Sequence, residues 1–516
     1  MNAAEIRRRI IETVSANGGH LASSLGAVEL SMALCRAFDP ERDRIVWDVG
    51  HQAYAWKILT GRDEAFGTLR KMGGMAPFTT PLESKADAAV SGHAGAALSV
   101  ALGMARSRDA FGRGESVVAV VGDEAFANGM NLEALLSLSS SPSKVIVVLN
   151  DNSTGQRPFP LALNGVKAIG PVDGHDLDAL LSAFGEAKAC GQSVLVHVVT
   201  KKGMGFAPAE ENPAKWHAVA PAAPSKPPRT WSEAFGDAIC GLAAKDLRVV
   251  ALTAGMKDGT GLCAFSERFP GRFFDVGIAE EHMVGFAAGL AAGGMRPFVA
   301  VYSTFLQRCV DQVMHDVAIA RLPVVFCVDR AGIAGQDGAT HQGLYDIAML
   351  RCLPNVSIFQ PKDEEDLGAL LAEALQKGAP SVIRYPRGEC PAHVPLVEGP
   401  ASAKVAIWCT GDWYRKACKV AKAVGGVAVC ARSIKPFDAA LLKRQREAGM
   451  AIVSLENAAV AGGLGEAIGA DMRFGWPDEY IGHGPVAELE AKYGLDSGSV
   501  AAEIGSRLGF GFSKEV

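Results

Sequence analysis

The strongest constraint on the fold is a set of short, unbroken apolar runs rich in β-branched residues. Residues 116–121 (Ser-Val-Val-Ala-Val-Val), 144–149 (Lys-Val-Ile-Val-Val-Leu) and 193–199 (Ser-Val-Leu-Val-His-Val-Val) alternate with Ala- and Leu-rich stretches of helical character. A strand with one wet face alternates apolar and polar residues. A strand that is apolar at every position needs cover on both faces, as a parallel strand has between two helical layers. The first block, residues 1–219, is therefore expected to be an α/β domain. Residues 220–229 (Ala-Pro-Ala-Ala-Pro-Ser-Lys-Pro-Pro-Arg) suit neither helix nor strand and read as a linker. Further runs at 272–278, 297–302, 322–329 and 381–385 predict a second α/β domain over 230–395. A third set at 404–409, 427–430 and 450–455 follows the Pro- and Gly-rich segment 391–400 and predicts a smaller α/β domain over 396–516. The fold class expected is α/β in three domains, each a mainly parallel sheet flanked by helices.

Charge and cysteine content narrow the function. With 51 Lys and Arg against 56 Asp and Glu in 516 residues, the formal net charge is -5, which offers no basic footprint for nucleic acid. The 11 cysteines stand singly, with no Cys-x-x-Cys pair, and read as reduced thiols. Near the amino end, a four-residue apolar patch broken by Glu12 is not the apolar core of a signal peptide. The weakly polar stretch 283–295 is Gly-rich and too short to span a bilayer. A cytoplasmic enzyme without membrane or nucleic-acid partners is the expectation.

In open parallel sheets ligands sit beyond the carboxyl ends of the strands, so polar residues directly after each run are the candidates. The run ending at Val121 leads into Gly122-Asp123-Glu124-Ala125, and the run ending at Leu149 leads into Asn150-Asp151-Asn152. Asp123 and Asn152 offer hard oxygen ligands, with one helix, about 130–140, between them. Such ligands suit Mg²⁺ shared with a diphosphate. They equally suit helix and turn caps. In the second domain the strand ends carry Glu280, then Tyr302 to Arg308, then Arg330, then Arg384 and Arg387, with Asp337 and His341 in the loop 335–343. Several arginines at one sheet mouth would make a pocket for a phosphate or carboxylate, although any one of them could instead pair with an acid. His20, His51 and His93 stand beside glycines, where backbone N–H groups can approach a phosphate, and His217 and His341 add to a proton-transfer set.

These residues carry a resemblance. Gly19-His20-Leu21-Ala22-Ser23, Trp47-Asp48-Val49-Gly50-His51-Gln52-Ala53-Tyr54, Lys57-Ile58-Leu59-Thr60-Gly61-Arg62, Ile169-Gly170-Pro171-Val172-Asp173-Gly174-His175, Tyr302-Ser303-Thr304-Phe305-Leu306-Gln307-Arg308, Asp329-Arg330-Ala331-Gly332-Ile333, Thr340-His341-Gln342-Gly343 and Arg384-Tyr385-Pro386-Arg387-Gly388 together resemble the 1-deoxy-D-xylulose-5-phosphate synthase family, relatives of transketolase. The resemblance covers nearly the whole chain. It implies two thiamine diphosphate-binding α/β domains and a transketolase-like carboxyl-terminal domain, with the cofactor between the first two domains of a homodimer. It implies Mg²⁺ on Asp123 and Asn152, and thiamine diphosphate lined by His51, Gly92, His93, Ala94, Glu124, Ala125, Asn152 and Phe206. Phe305 would stack on the pyrimidine, and Glu280 would bond its ring nitrogen, favouring the tautomer that activates the thiazolium. The implied substrates are pyruvate and glyceraldehyde 3-phosphate. His20, Ser23 and His341 would manage protons and the pyruvate carboxylate near Tyr302, Arg308 and Asp337, while His217 would lie close by. Arg330 and Arg387 would hold the acceptor phosphate.

Two departures stand out. Glu124 replaces the second glycine of the family's Gly-Asp-Gly, and a carboxylate about 7 Å from a bound diphosphate would cost roughly 2 kcal/mol at an effective dielectric near 20. It must point away, be offset by a cation or join the metal shell. The segment from Asn152 to Ile169 is also several tens of residues shorter than in typical members, and Ser153 to Pro158 replace the family's Met-Ser-Ile-Ser stretch. A reduced covering element and a more open site are expected from this. A transketolase-like enzyme with another donor or acceptor, or a non-catalytic paralogue, are the other readings.

Overall fold

A computed structural model describes residues 1–152, 164–221 and 228–509. The chain divides into two compact units, 1–225 and 226–516.

The first unit is built on a five-stranded parallel sheet of β1 (Arg44–Trp47), β2 (Val117–Gly122), β3 (Ile146–Asp151), β4 (Val166–Asp173) and β5 (Ser193–Val199). Its order is β1-β2-β3-β5-β4. Every residue of β2 is buried, as its unbroken apolar run requires. β4 is an edge strand with a largely exposed pattern, and no apolar run announces it. In the β2–β3 register Gly122 lies opposite Asn150, so the polar residues following each strand emerge side by side.

The second unit holds β6 (Val249–Thr253), β7 (Phe273–Asp275), β8 (Arg296–Tyr302), β9 (Val325–Asp329), β10 (Ser357–Phe359), β11 (Ser381–Arg384), β12 (Val405–Cys409), β13 (Val427–Cys430), β14 (Ser433–Lys435), β15 (Ala451–Ala459) and β16 (Met472–Trp476). Seven of these form one sheet, β14-β10-β11-β9-β8-β6-β7, and four form another, β13-β12-β15-β16. All pairings are parallel except β10 with β14. The strand expected over 272–278 is confined to β7, because the chain turns at Gly277, whose φ is +71°. β14 belongs to the larger sheet although it lies beyond residue 396 in sequence.

Burial on both faces is visible strand by strand. In β8, Phe298 and Ala300 pack into one core while Val299 and Val301 pack into another; in β9, Val325 and Cys327 join the first and Phe326 and Val328 the second. The second core continues through Ala406, Trp408 and Ile452 of the four-stranded sheet. Val405, Ile407 and Val453 face a third core on that sheet's other side. All eleven cysteines are free. Among the described residues no helix is long and apolar enough to cross a membrane.

Candidate active site

In the first unit the site begins at the end of β1. Asp48 is buried, and its carboxylate accepts hydrogen bonds from the Gly95 backbone N–H at 2.9 and 3.1 Å, from Ala97 N–H at 3.2 Å and from Asn131 Nδ2 at 3.3 Å. It thereby ties the loop carrying Gly92, His93 and Ala94 to the strand end and to the start of the helix Ala97–Ala110. Val49 then adopts φ +59°, a conformation a β-branched residue holds only under strain, and strain of this kind gathers at functional sites. Gly50 follows at φ +77°, where a Cβ would come within 2.1 Å of Ser91 Oγ. This tight turn delivers His51.

Three imidazoles converge there. The rings of His20 and His51 lie 5.9 Å apart, His20 and His217 5.6 Å, and His51 and His217 5.5 Å. Phe78 adds a wall 5.6 Å from His20. Ser23 Oγ sits 3.3 Å from His217 Nδ1. Burial depresses the pKa of His51 well below its ordinary value, reinforced by the neighbouring His217, His20 and Lys202. His217 keeps a solvent-facing edge. The protein crowded round its ring, with Lys202 nearby, lowers its pKa to about 4. Both rings are therefore neutral near pH 7 and able to donate and accept at once.

At the next strand ends, Asp123 is buried, and its Oδ2 accepts the Asn152 backbone N–H at 3.3 Å. Asn152 Oδ1 is buried without a hydrogen-bond partner among the described residues. An acceptor left bare beside a carboxylate is what a hard cation requires, since an unpaired buried carbonyl is otherwise costly. Among the described residues no group of three or more His, Cys, Asp or Glu could hold a metal ion. Glu124 is exposed, so water screens its charge, and Ala125 is buried, its carbonyl accepting Asn131 Nδ2 at 2.8 Å. Phe206 packs edge-on against Trp216 at 5.1 Å, beside the strap that pairs Val219 with Gly19. The substituted Ser153 to Pro158 stretch and most of the shortened segment lie outside the described residues.

In the second unit Glu280 opens the helix Glu280–Ala292. It is 4% exposed, its Oε2 has no hydrogen-bond partner among the described residues, and burial pushes its pKa up to about 7 despite the attraction of Arg308. Arg308 Nη1 is likewise buried without a partner among the described residues. β8 and β9 end side by side, Tyr302 opposite Asp329. From the first, Phe305 stacks on Tyr302 at 5.8 Å and meets His341 edge-on at 5.5 Å. From the second, Arg330, at φ +54°, lays its guanidinium 3.9 Å over the Tyr302 ring. Arg387 donates to Asp337 Oδ2 at 2.8 Å. Burial raises the Tyr302 pKa, and its hydroxyl feels the charges of Arg330, Asp329, Arg387 and Asp337 together. His341 Nδ1 lies 3.0 Å from Thr340 Oγ1.

Arg384 takes the second of the two readings open to each arginine, pairing with an acid, although that acid is buried. It is fully buried, bonded to Asp346 at 2.8 Å and to Gln360, and takes no part in an anion pocket. Sequence reasoning also gave no role to Asp48, Phe78, Gln342 or Gly259. A Cβ on Gly259 would fall 1.7 Å from the Tyr302 hydroxyl, and Gln342 Oε1 accepts the Ala334 and Gly335 N–H groups at 2.7 and 3.0 Å. Asp48 follows only the short apolar stretch Ile45-Val46-Trp47, which does not mark it as the long run before Gly122 marks Asp123.

Residues 1–159 and 160–200 match the family model described as 1-deoxy-D-xylulose-5-phosphate synthase, and residues 228–392 match the one described as transketolase, pyrimidine binding domain. The chain belongs to the 1-deoxy-D-xylulose-5-phosphate synthase family. The synthase of Symbiobacterium thermophilum is 43% identical over 589 positions, covering 97% of this chain and 90% of that one. The synthase of Clostridium beijerinckii is 40% identical, covering 96% and 94%. Transketolase from Leishmania mexicana, at 18% identity and a TM-score of 0.50, covers 99% of this chain and 98% of its own, and shares the α/β fold. As a member of the synthase family, the chain is a transferase of the transketolase type. The break in the family match between 159 and 160 falls inside the segment whose shortness the sequence revealed.

Proposed function

We propose that the chain joins pyruvate to D-glyceraldehyde 3-phosphate with loss of CO₂, giving 1-deoxy-D-xylulose 5-phosphate, with thiamine diphosphate and Mg²⁺ as cofactors. The observation that carries the reading is Glu280, a buried carboxyl with one bare oxygen and a pKa near neutrality. Thiamine diphosphate, when bound, supplies the carbon nucleophile that takes up pyruvate and passes its two-carbon remainder to the aldehyde.

The residues of this chain do the rest. Glu280 Oε2 holds a proton at the pyrimidine nitrogen, a task suited to a carboxyl that ionises near pH 7. Phe305 presents its face to the same ring. Asp123 and Asn152 would hold Mg²⁺ together with the diphosphate, which the backbone of Gly92 to Ala94 and of Glu124 and Ala125 would line. The neutral imidazoles of His51 and His217 accept and return protons without adding positive charge, with His20 beside them and Ser23 orienting His217 through its Nδ1. Tyr302, Arg308 and His341 face the pyruvate carboxylate. Arg330 and Arg387 take the acceptor phosphate. Arg330 is aimed by the Tyr302 ring, and Arg387 is kept in place by Asp337 until a dianion competes for it. The family resemblance extends the proposal to a homodimer working in the cytoplasm.

Titration calorimetry with thiamine diphosphate and Mg²⁺, followed by product analysis with pyruvate or a ketose phosphate as donor, tests the reading. Saturable binding and CO₂ release from pyruvate are expected. Absence of binding leaves the non-catalytic alternative, and turnover of the ketose phosphate alone leaves the transketolase-like one.

A further inference from the structure

The loop 330–343 carries Arg330, Asp337 and His341; its own sheet holds Arg330 and Ala331, through Asp329 Oδ1 at 2.7 Å and the Tyr385 carbonyl at 3.0 Å, but the next anchor comes from the other sheet. Ile333 N–H donates to Asn457 Oδ1 at 3.0 Å. Asn457 lies in β15 of the four-stranded sheet and is 3% exposed. Every polar atom of this residue is committed. Its Oδ1 also accepts Trp476 Nε1 at 3.1 Å, its Nδ2 donates to Asp412 Oδ2 at 2.7 Å, its backbone N–H donates to Thr410 Oγ1 at 3.1 Å, and its carbonyl accepts Arg384 Nη2 at 3.2 Å. The approach to the loop is so close that a Cβ on Gly332 would lie 2.3 Å from Asn457 Nδ2. A residue held by two partners on its side chain and two on its backbone can offer the loop a fixed acceptor, because Trp476 and Asp412 together set its rotamer and its amide orientation. The far end of the loop returns to the same region, with Gln342 Nε2 donating to the Gly482 carbonyl at 2.9 Å.

We propose that Asn457 is a positioning residue for the acceptor half of the reaction, through which the four-stranded sheet sets the place of Arg330 and hence the affinity for a phosphorylated aldehyde. The substrate assignment rests on the function proposed above; the placement of the loop does not. The Asn457–Asp412 contact permits a clean control. In the double variant Asp412→Asn, Asn457→Asp the donor and acceptor exchange places, the number of carboxylates is unchanged, and each hydrogen bond of the pair and to Ile333 can still form.

The test uses the full-length protein with cofactors, and reads the KM for each substrate together with hydrogen exchange over 330–343. Asn457→Ala is expected to raise the KM for glyceraldehyde 3-phosphate about tenfold, with the KM for pyruvate within about twofold, since small misplacements of an anchoring group weaken the ligand it holds. Amide exchange over 330–343 should quicken. The double variant should return both readouts to within about threefold of the parent. Gly332→Ala, which pushes the loop away from the other side, should move the same KM, and it decides the matter if Asn457→Ala does not fold. The proposal is overturned if both substrates lose affinity equally, or if the folded double variant behaves like Asn457→Ala. Should the parent itself make no product, the functional reading fails, and exchange over 330–343 alone decides the positioning.

Discussion

Glu280 shows how one residue trades stability for chemistry. Its pKa of about 7 in the folded chain stands above the ordinary 4.5 because burial disfavours the carboxylate. Below pH 4.5 both folded and unfolded chains hold the proton and the group contributes nothing. As pH rises through 4.5 to 7 the unfolded chain loses it first, so folding is progressively penalised, and above pH 7 the full penalty is on the order of 3 kcal/mol. Glutamine has the same shape without the charge. Glu280→Gln is therefore expected to stabilise the cofactor-free protein at pH 8 by about 3 kcal/mol and at pH 5 by only about 1 kcal/mol, while turnover is lost. Thermal denaturation at the two pH values, beside a CO₂-release assay, checks both halves. An equal gain at both pH values would show that the buried charge is not its source.

At the scale of elements, the first-unit site depends on a connection between β1 and the helix Ala97–Ala110 that runs through Asp48. Asp48→Ala leaves the Gly95 and Ala97 N–H groups without their acceptor, and each buried donor so abandoned costs about 1–3 kcal/mol. The variant should melt several degrees lower and bind thiamine diphosphate at least about tenfold more weakly, because the backbone of Gly92 to Ala94 loses its tether. Asp48→Asn, which keeps one acceptor oxygen, should fall between. Titration calorimetry separates the two effects, and unchanged cofactor affinity in a destabilised Asp48→Ala would sever the loop from the site. The elements that the sequence revealed were those with a single loud signal. β2, β3 and β5 are interior strands with every face covered, so composition alone marks them, and the polar residues after β2 and β3 become visible as a pair. β1, only four residues long, and β4, exposed at the sheet edge, have no such run, and Asp48 stayed hidden with β1. The motif Arg384-Tyr385-Pro386-Arg387 left the roles of its two arginines open for a related reason. Arg384 is still part of β11 and points into the core, whereas Arg387, three residues later, has left the strand. Spacing cannot say where a strand stops.

At the scale of the molecule, the second unit is held together by a buried polar junction as well as by apolar packing. Arg384 ends β11, yet it reaches Asp346 at 2.8 Å, Gln360, and the Asn457 carbonyl of β15 at 3.2 Å. Gln360 in turn donates to Asp412 at 2.6 Å, just beyond β12. Asp412 is buried enough that its pKa is raised, and the nearby Arg384 charge opposes that rise. One guanidinium thus compensates both Asp346, at the start of the helix Asp346–Arg351, and Asp412, in the turn that follows β12 of the smaller sheet. Replacing it with methionine keeps the volume and strands those acids without their counter-charge, a change that costs about 3–5 kcal/mol when one partner of a buried pair is removed. Because Arg384 itself ends β11 and bonds the Asn457 carbonyl of β15, the loss is expected to reach both sheets. Arg384→Met is expected to quicken hydrogen exchange in the larger sheet, at β9 and β11, and in the smaller one, at β12 and β15, by a similar factor, with a single lowered transition for the two. Adding Asp346→Asn should recover part of the loss by removing one of the stranded charges. If only β11 and its neighbours exchange faster while β12 and β15 keep their protection, the sheets are joined by their shared apolar core alone, and the polar junction serves to aim the loop at 330–343 without binding the two sheets into one cooperative body.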